Sequence, residues 1–363
     1  MLKTGIILQG FNWKSHENRN LYKHLEKTIP QMKNMKVEKV WLPPSSKSRD
    51  PEGYYPLDYY NHESEYGTSD ELQSLVDTFR ENDIDVIGEL VCWSNFCGHI
   101  REPFGFKEEL VAIDSHTLYD HYEDYLLHMK DIGFTDIRVD FLKSPECYNL
   151  GLYVAGLDSL HELNFVGEYW TDMSYEGEYL MNNQNEHRQE IVNFIDKSNW
   201  RFSMFDFTLK GVLQCALNNR EYWRLSDERQ LPPGANGWVG ENAITFLDNH
   251  DTLGQHLWEF SRNRDVIIAG YAYIMTHCGT PCVYYDHFFD YHHELEKLAS
   301  IRSQMKNDSV AIIQASHDVY KACVGEEFFV QIGEGCSFEL DCDTMFQTSL
   351  VLIQKKKHLK KQE

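Results

Sequence analysis

The sequence predicts a closed (β/α)₈ barrel, and three observations carry that prediction. Short β-like runs alternate about eight times with longer runs whose apolar residues recur at helical spacing, the pattern of parallel strands joined by crossover helices. A length of 363 residues suits one large barrel with a small appendage. The competing architecture, an open doubly wound sheet, usually carries a glycine-rich phosphate turn after its first strand. Gln9-Gly10-Phe11-Asn12-Trp13 is not such a turn.

Taken in order, the strands are expected at Gly5–Gln9, Lys39–Leu42, Asp85–Val91, Asp136–Asp140, Asn164–Gly167, Phe202–Phe207, Ala243–Leu247 and Cys282–Tyr285. Helical spacing places helices at Leu21–Met35, Glu71–Phe79, Leu118–Met129, Glu186–Ile195 and Val266–Thr276, with Leu295–Met305 after the last strand. Beyond Met305 the pattern changes to half-buried strands at Val310–Gln314, Asp318–Cys323, Phe328–Ile332 and Thr348–Leu352, separated by Gly and Asp. The expected division is therefore a catalytic barrel over residues 1–307 and a small antiparallel β domain over 308–363. The latter ends in a basic tail, Lys355-Lys356-Lys357-His358-Leu359-Lys360-Lys361, read as a solvated terminus.

Composition narrows the function. Lys+Arg 34 against Asp+Glu 57 gives a net charge of −23, which argues against a nucleic-acid partner, since such proteins need clustered positive charge. No run approaches 18 apolar residues, so a membrane span is not expected. The 9 cysteines are an odd number at scattered spacing, so they do not make a complete disulfide framework. Cys92 with Cys97, or Cys278 with Cys282, are imaginable as pairs or metal ligands, but small buried hydrophobes are the plainer reading. Gly5-Ile6-Ile7-Leu8 is shorter than a signal-peptide core and lacks a cleavage site, which points to a reduced, cytoplasmic location. A mature secreted chain would read the same.

In a barrel of this kind, functional side chains lie at the C-terminal ends of the strands. Strand four closes with Arg138-Val139-Asp140, strand five with Gly167-Glu168-Tyr169-Trp170, and strand seven with Leu247-Asp248-Asn249-His250-Asp251. Singly, each carboxylate could be a helix cap or a surface ion pair. Together, three carboxylates with an Arg and a His describe a site for proton transfer and nucleophilic attack. Arg138 and Asp140 share a strand face because side chains alternate with period two, so the guanidinium would hold Asp140 ionised, as a nucleophile requires. Glu168 would have to keep a proton, which like-charge neighbours and partial burial favour. Aromatic residues at strand ends, among them Trp13, Tyr54, Tyr55, Trp93 and Trp170, can pack against the C–H face of a pyranose.

At these residues the chain resembles the plant-type α-amylases of the large glycoside hydrolase family that acts on α-glucans. The likeness runs through nearly the whole chain: Leu8-Gln9-Gly10-Phe11-Asn12-Trp13, Val40-Trp41-Leu42-Pro43-Pro44, Gly53-Tyr54-Tyr55-Pro56, Asp136-Ile137-Arg138-Val139-Asp140, Val166-Gly167-Glu168-Tyr169-Trp170, His187-Arg188-Gln189-Glu190, Phe246-Leu247-Asp248-Asn249-His250-Asp251 and Gly279-Thr280-Pro281. The resemblance implies endo-acting hydrolysis of α-1,4-glucosidic bonds in starch- or glycogen-type glucans, with Asp140 as nucleophile and Glu168 as general acid/base. It implies that Asp251 is the third carboxylate, that Arg138 orients Asp140, and that His250 hydrogen-bonds the −1 sugar. Tyr54 matches the platform under that ring and Lys143 the basic residue on the leaving-group side, while Trp170 and Trp13 complete the implied sugar-binding set. No obligate protein partner is implied.

The chain also departs from the family. The motif after strand three normally reads Asp followed four and five residues later by Asn and His, and here these positions are Glu89, Trp93 and Ser94. The Asn is usually a calcium ligand, and Trp cannot replace it because calcium takes oxygen ligands. The loop domain after strand three is shortened to about residues 92–116, where Asp114 is the best surviving ligand candidate and His99 a nearby substitute for the missing His. Weak or absent calcium binding is the expectation. The alternatives to a hydrolase are a non-catalytic or weakened glucan-binding relative and an α-glucan transglycosylase.

Overall fold

The computed structural model describes residues 5–92, 115–254, 258–334 and 342–357. Its framework is eight short strands: β1 (Ile6–Gln9), β2 (Val37–Trp41), β3 (Asp85–Leu90), β4 (Asp136–Val139), β5 (Asn164–Gly167), β6 (Phe202–Phe205), β7 (Ala243–Phe246) and β8 (Thr280–Val283). They are hydrogen-bonded in the order β1-β8-β7-β6-β5-β4-β3-β2 and close into a barrel, as the alternation predicts. β1, β4 and β7 are buried at every position, the signature of strands covered on both faces.

The chain divides into two compact units. The first comprises Ile7–Thr171 and Asn193–Phe205. It holds α1 (Leu21–Asn34), α2 (Ser69–Glu81), α3 (Ser115–Ile132) and α4 (Pro145–Ala155). α1 buries Leu21, Tyr22, Leu25, Ile29 and Met32, a stripe at helical spacing. α2 starts on a reciprocal cap in which the Thr68 hydroxyl accepts from Glu71 N and the Glu71 carboxylate accepts from Thr68 N. The parallel ladder sets Glu89 of β3 opposite Arg138 of β4, and Val139 of β4 opposite Gly167 of β5. Gly88 is required where it is, because a Cβ there would lie 2.7 Å from Met129 Cε and 2.8 Å from Phe134 Cδ1.

The second unit comprises Asp172–Val192 and the chain from Asp206 onward. α5 (Asn185–Lys197) begins within it, followed by α6 (Phe207–Asn218), α7 (Arg264–Thr276) and α8 (His292–Arg302). The C-terminal sheet is antiparallel: β9 (Val310–Ala315), β10 (Val319–Val324), β11 (Phe328–Gly333), β12 (Cys342–Gln347) and β13 (Val351–Lys356), in the order β9-β10-β11-β13-β12. Buried His277 at the end of α7 meets the Tyr320 hydroxyl of β10 through Nε2 at 2.8 Å.

Several elements differ from the sequence reading. α4 was not expected, although Ser144 caps it and Pro145 occupies its first turn. The run expected as a strand to Phe207 ends at Phe205, and Asp206 instead caps α6, accepting from Leu209 N at 2.9 Å. β12 was missed because only Phe346 of its six residues is buried, so no alternation marks it, and the final strand runs Val351–Lys356 rather than Thr348–Leu352. Lys355 and Lys356 thus belong to that strand, and the Lys355 ammonium lies 5.1 Å from the Phe328 ring centroid.

Among the described residues burial pushes His62 and His287 down to about 4 and His277 to about 3, and lowers His128 as well. For His62 the nearby His128 adds to the effect. A depressed folded value means that the unfolded chain binds more protons below its own value of about 6.5, so stability is present above that pH and lost as pH falls. His277→Gln is therefore expected to flatten the decline in Tm between about pH 6.5 and 5. An unchanged slope would refute the assignment.

Candidate active site

The first unit places a buried guanidinium among three carboxylates. Asp140 and Glu168 directly follow β4 and β5, and their backbones still continue the ladder: Asp140 N donates to Leu90 O at 3.0 Å and Glu168 N to Val139 O at 3.2 Å. Arg138 donates to Asp140 Oδ1 at 2.9 Å, and its other terminal nitrogen pairs with Glu168 Oε2 at 2.9 Å. The nitrogen that meets Asp140 also pairs with Glu89 Oε1, while Glu89 Oε2 accepts from Trp41 Nε1 at 2.8 Å. The Trp41 ring centroid lies 4.8 Å from the guanidinium carbon. Burial opposes the charge on Arg138, but Glu168, Glu89 and Asp140 together outweigh it and hold the guanidinium firmly protonated.

Accessibility separates the three acids. The side chains of Glu89, Glu168 and Asp140 are 0%, 7% and 19% exposed, so Glu89 is enclosed while Asp140 reaches outward. Phe141 adopts φ 49, a left-handed conformation uncommon for a bulky residue, and its amide donates to Glu168 Oε2 at 3.1 Å. The turn after the candidate nucleophile thus holds the candidate acid.

Two aromatic groups lie on neighbouring loops of the same unit. Trp13, after β1, and Tyr54, after β2, have parallel rings with centroids 6.1 Å apart. The Tyr54 loop is tied by Asp50, whose carboxylate accepts from Tyr54 N at 3.0 Å and Tyr55 N at 2.6 Å. Its turn passes through Gly53 at φ 94, packed against Pro44. Beyond β4, the Lys143 ammonium lies 4.3 Å from the Trp170 ring centroid, and Phe141 meets the same indole edge-on.

In the second unit, the loop after β7 carries His250 and Asp251. His250 is buried with Nε2 3.4 Å from Asp251 Oδ2, and the Asp251 side chain is 41% exposed. Asn249 Oδ1 accepts from Asp251 N and Thr252 N at 3.0 and 3.1 Å, fixing a tight turn. The predicted residues therefore assemble as four local groups: Arg138 with Asp140 and Glu168, Trp13 with Tyr54, Lys143 with Trp170, and His250 with Asp251.

Sequence reasoning noted Glu89 only as a departure from the family motif, whereas it is a full member of the arginine cluster. The signal was a charged residue within the otherwise apolar run Val86-Ile87-Gly88-Glu89-Leu90. Asp114, Trp93, Ser94 and His99 lie outside the described residues. Among those described, no three His, Cys, Asp or Glu side chains gather as a metal site, and no helix is long and apolar enough to cross a membrane.

A closed barrel with two carboxylates sharing one buried guanidinium at adjacent strand ends is the framework of a glycoside hydrolase. The model of the α-amylase catalytic domain matches residues 24–131. A probable α-amylase 2 of Arabidopsis thaliana is 33% identical over 374 residues, covering 91% of this chain and 88% of that protein. The chloroplastic α-amylase 3 of the same plant is 35% identical, and the match covers 91% of this chain but only 41% of that longer relative. Among solved structures, a cyclomaltodextrin glucanotransferase with a three-domain layout superposes with a TM-score of 0.70 at 16% identity, covering 98% of each chain. The chain belongs to the α-amylase family.

Arg138→Lys keeps the charge but cannot bridge two carboxylates in a fork, so kcat/KM is expected to fall by on the order of 10²-fold. Trp41→Phe leaves Glu89 Oε2 short of a buried donor, and denaturant unfolding should register a loss of about 1–3 kcal/mol. Wild-type values for either variant would show that the cluster does not depend on these contacts.

Proposed function

We propose that this glycoside hydrolase cleaves internal α-1,4-glucosidic bonds of starch- or glycogen-type glucans by double displacement with retention. The observation that carries the reading is the single Arg138 guanidinium bonded to both Asp140 and Glu168 at 2.9 Å. Two carboxyl groups on one guanidinium suit the short separation, about 5–5.5 Å, that distinguishes retaining from inverting glycosidases.

Asp140, the more exposed of the two acids on Arg138, attacks the anomeric carbon. The glycosidic C–O bond breaks as Glu168 delivers its proton to the departing oxygen, leaving a glycosyl ester on Asp140. Glu168 then takes a proton from water, whose oxygen attacks the same carbon and releases Asp140. Arg138 orients the Asp140 carboxylate for attack and stabilises it again when water releases it. Asp251 and His250 bind hydroxyls of the −1 sugar, Tyr54 with Trp13 offers an aromatic platform, and Lys143 with Trp170 serves the leaving-group side. Asp251, His250, Tyr54 and Lys143 take these roles from the family resemblance.

The substrate is a neutral polymer, so the net charge of −23 concerns solubility rather than steering. The cysteines among the described residues are all free thiols, which supports a reducing compartment such as the cytoplasm. Calcium binding is weak or absent, because Trp93 stands where the family places an oxygen ligand and leaves Asp114 as the main candidate. No step of the reaction is assigned to the metal.

Glu168→Gln removes the transferable proton, and reducing-sugar release from maltooligosaccharides should drop by at least 10²-fold. Equal activity in the two proteins would falsify the assignment. NMR of the first product should show the α-anomer, and initial β-anomer would exclude retention. Products longer than the substrate as the main outcome would favour a transglycosylase. EDTA should leave activity nearly intact, and loss restored by added calcium would contradict weak metal dependence.

A further inference from the structure

α6 is a buried helix whose residues include Phe207, Leu209, Val212, Leu213, Ala216 and Leu217, yet it carries a lysine with a 0% exposed side chain. Lys210, Gln214 and Asn218 recur at four-residue spacing and therefore line one face. Each takes a backbone carbonyl from a consecutive residue of the chain returning from the loop after β7. Lys210 Nζ donates to Trp258 O at 2.5 Å, Gln214 Nε2 to Glu259 O at 2.6 Å, and Asn218 Nδ2 to Phe260 O at 2.8 Å. Ser261 Oγ closes the ladder by donating to Asn218 Oδ1 at 2.9 Å.

The start of the same loop is held from the other side. Asp248, also 0% exposed, lies with Oδ1 3.9 Å from Lys210 Nζ. That oxygen accepts from Phe260 N at 3.0 Å and Thr252 Oγ1 at 2.7 Å, and Thr252 Oγ1 in turn accepts from Asn249 N at 2.9 Å. Lys210 thus joins both limbs of the loop on which His250 and Asp251 stand. A buried ammonium is costly, and burial brings Lys210 down to about 8 even against the opposing pull of Asp248. An apolar residue would pack such a helix at lower cost, so the charge needs a reason beyond stability.

We infer that Lys210 is a positioning residue for His250 and Asp251, acting through Asp248 and the α6 side-chain ladder to fix both limbs of their loop. This rests on the reading that Asp251 binds the sugar undergoing reaction.

The test compares wild type with Lys210→Met, Lys210→Met/Asp248→Asn, Gln214→Ala and Asp251→Asn, measuring kcat, KM and Tm on one maltooligosaccharide. Lys210→Met should lower kcat by roughly 10–10²-fold with KM within about threefold, because a misplaced loop weakens contacts made in the transition state. The double variant removes the unpaired buried carboxylate while Asn still accepts from Thr252 and Phe260. It should recover Tm yet keep the low kcat, since the Trp258 carbonyl is still not held. Gln214→Ala buries no charge and should lower kcat about threefold or more in the same manner. Wild-type kcat in the double variant would reduce Lys210 to a charge balance and overturn the inference, as would wild-type kcat in Gln214→Ala, so the test stands even if Lys210→Met fails to fold. Wild-type kcat in Asp251→Asn would instead remove the underlying reading of Asp251.

Discussion

One guanidinium set against three carboxylates in a nearly waterless space is the constraint on which the first half of this molecule turns. Arg138 cannot leave its place without exposing Glu89, Glu168 and Asp140 to one another's charge. Its planar fork also does what a point charge could not, presenting separate nitrogens to the carboxylates of two successive strand ends. The register of β3, β4 and β5 is bound up with this: a slip by one residue would turn Glu89 or Arg138 to the opposite face of its strand. Trp41 completes the enclosure, donating to Glu89 and covering the guanidinium with its ring. Chemistry and folding therefore share the same contacts.

Arg138 and Lys210, two of the buried cations, differ in kind. Arg138 touches groups that react in the proposed mechanism, and its charge outlasts burial because three acids surround it. Lys210 faces one carboxylate and one backbone carbonyl, and its ammonium holds a loop rather than a reacting atom.

Much of this was legible beforehand. Alternating apolar runs located all eight barrel strands to within a few residues, because the strands are mostly buried and read as short apolar-rich runs. α1 and α2 showed their buried stripes plainly. α6 did not, since a helix buried nearly all round has no polar face to create a period. β12 stayed hidden for the opposite reason, being an edge strand with one buried side chain. In the site, Arg138, Asp140 and Glu168 could be read from their places at strand ends, whereas Glu89 passed as a motif variation and Lys210 was not singled out.

What the chain order determined alone is the set of parts: eight parallel strands, acids at their C-terminal ends, and aromatics in the loops that follow. Those depend on local periodicity and on position within a strand, and both are properties of neighbouring residues. Beyond the Arg138–Asp140 pair, which strand alternation implied, the partners of each cation were decided only in three dimensions. Glu89 and Arg138 are 49 residues apart along the chain and Lys210 and Trp258 48 apart, so their pairing follows from strand register and helix docking, which no local pattern encodes.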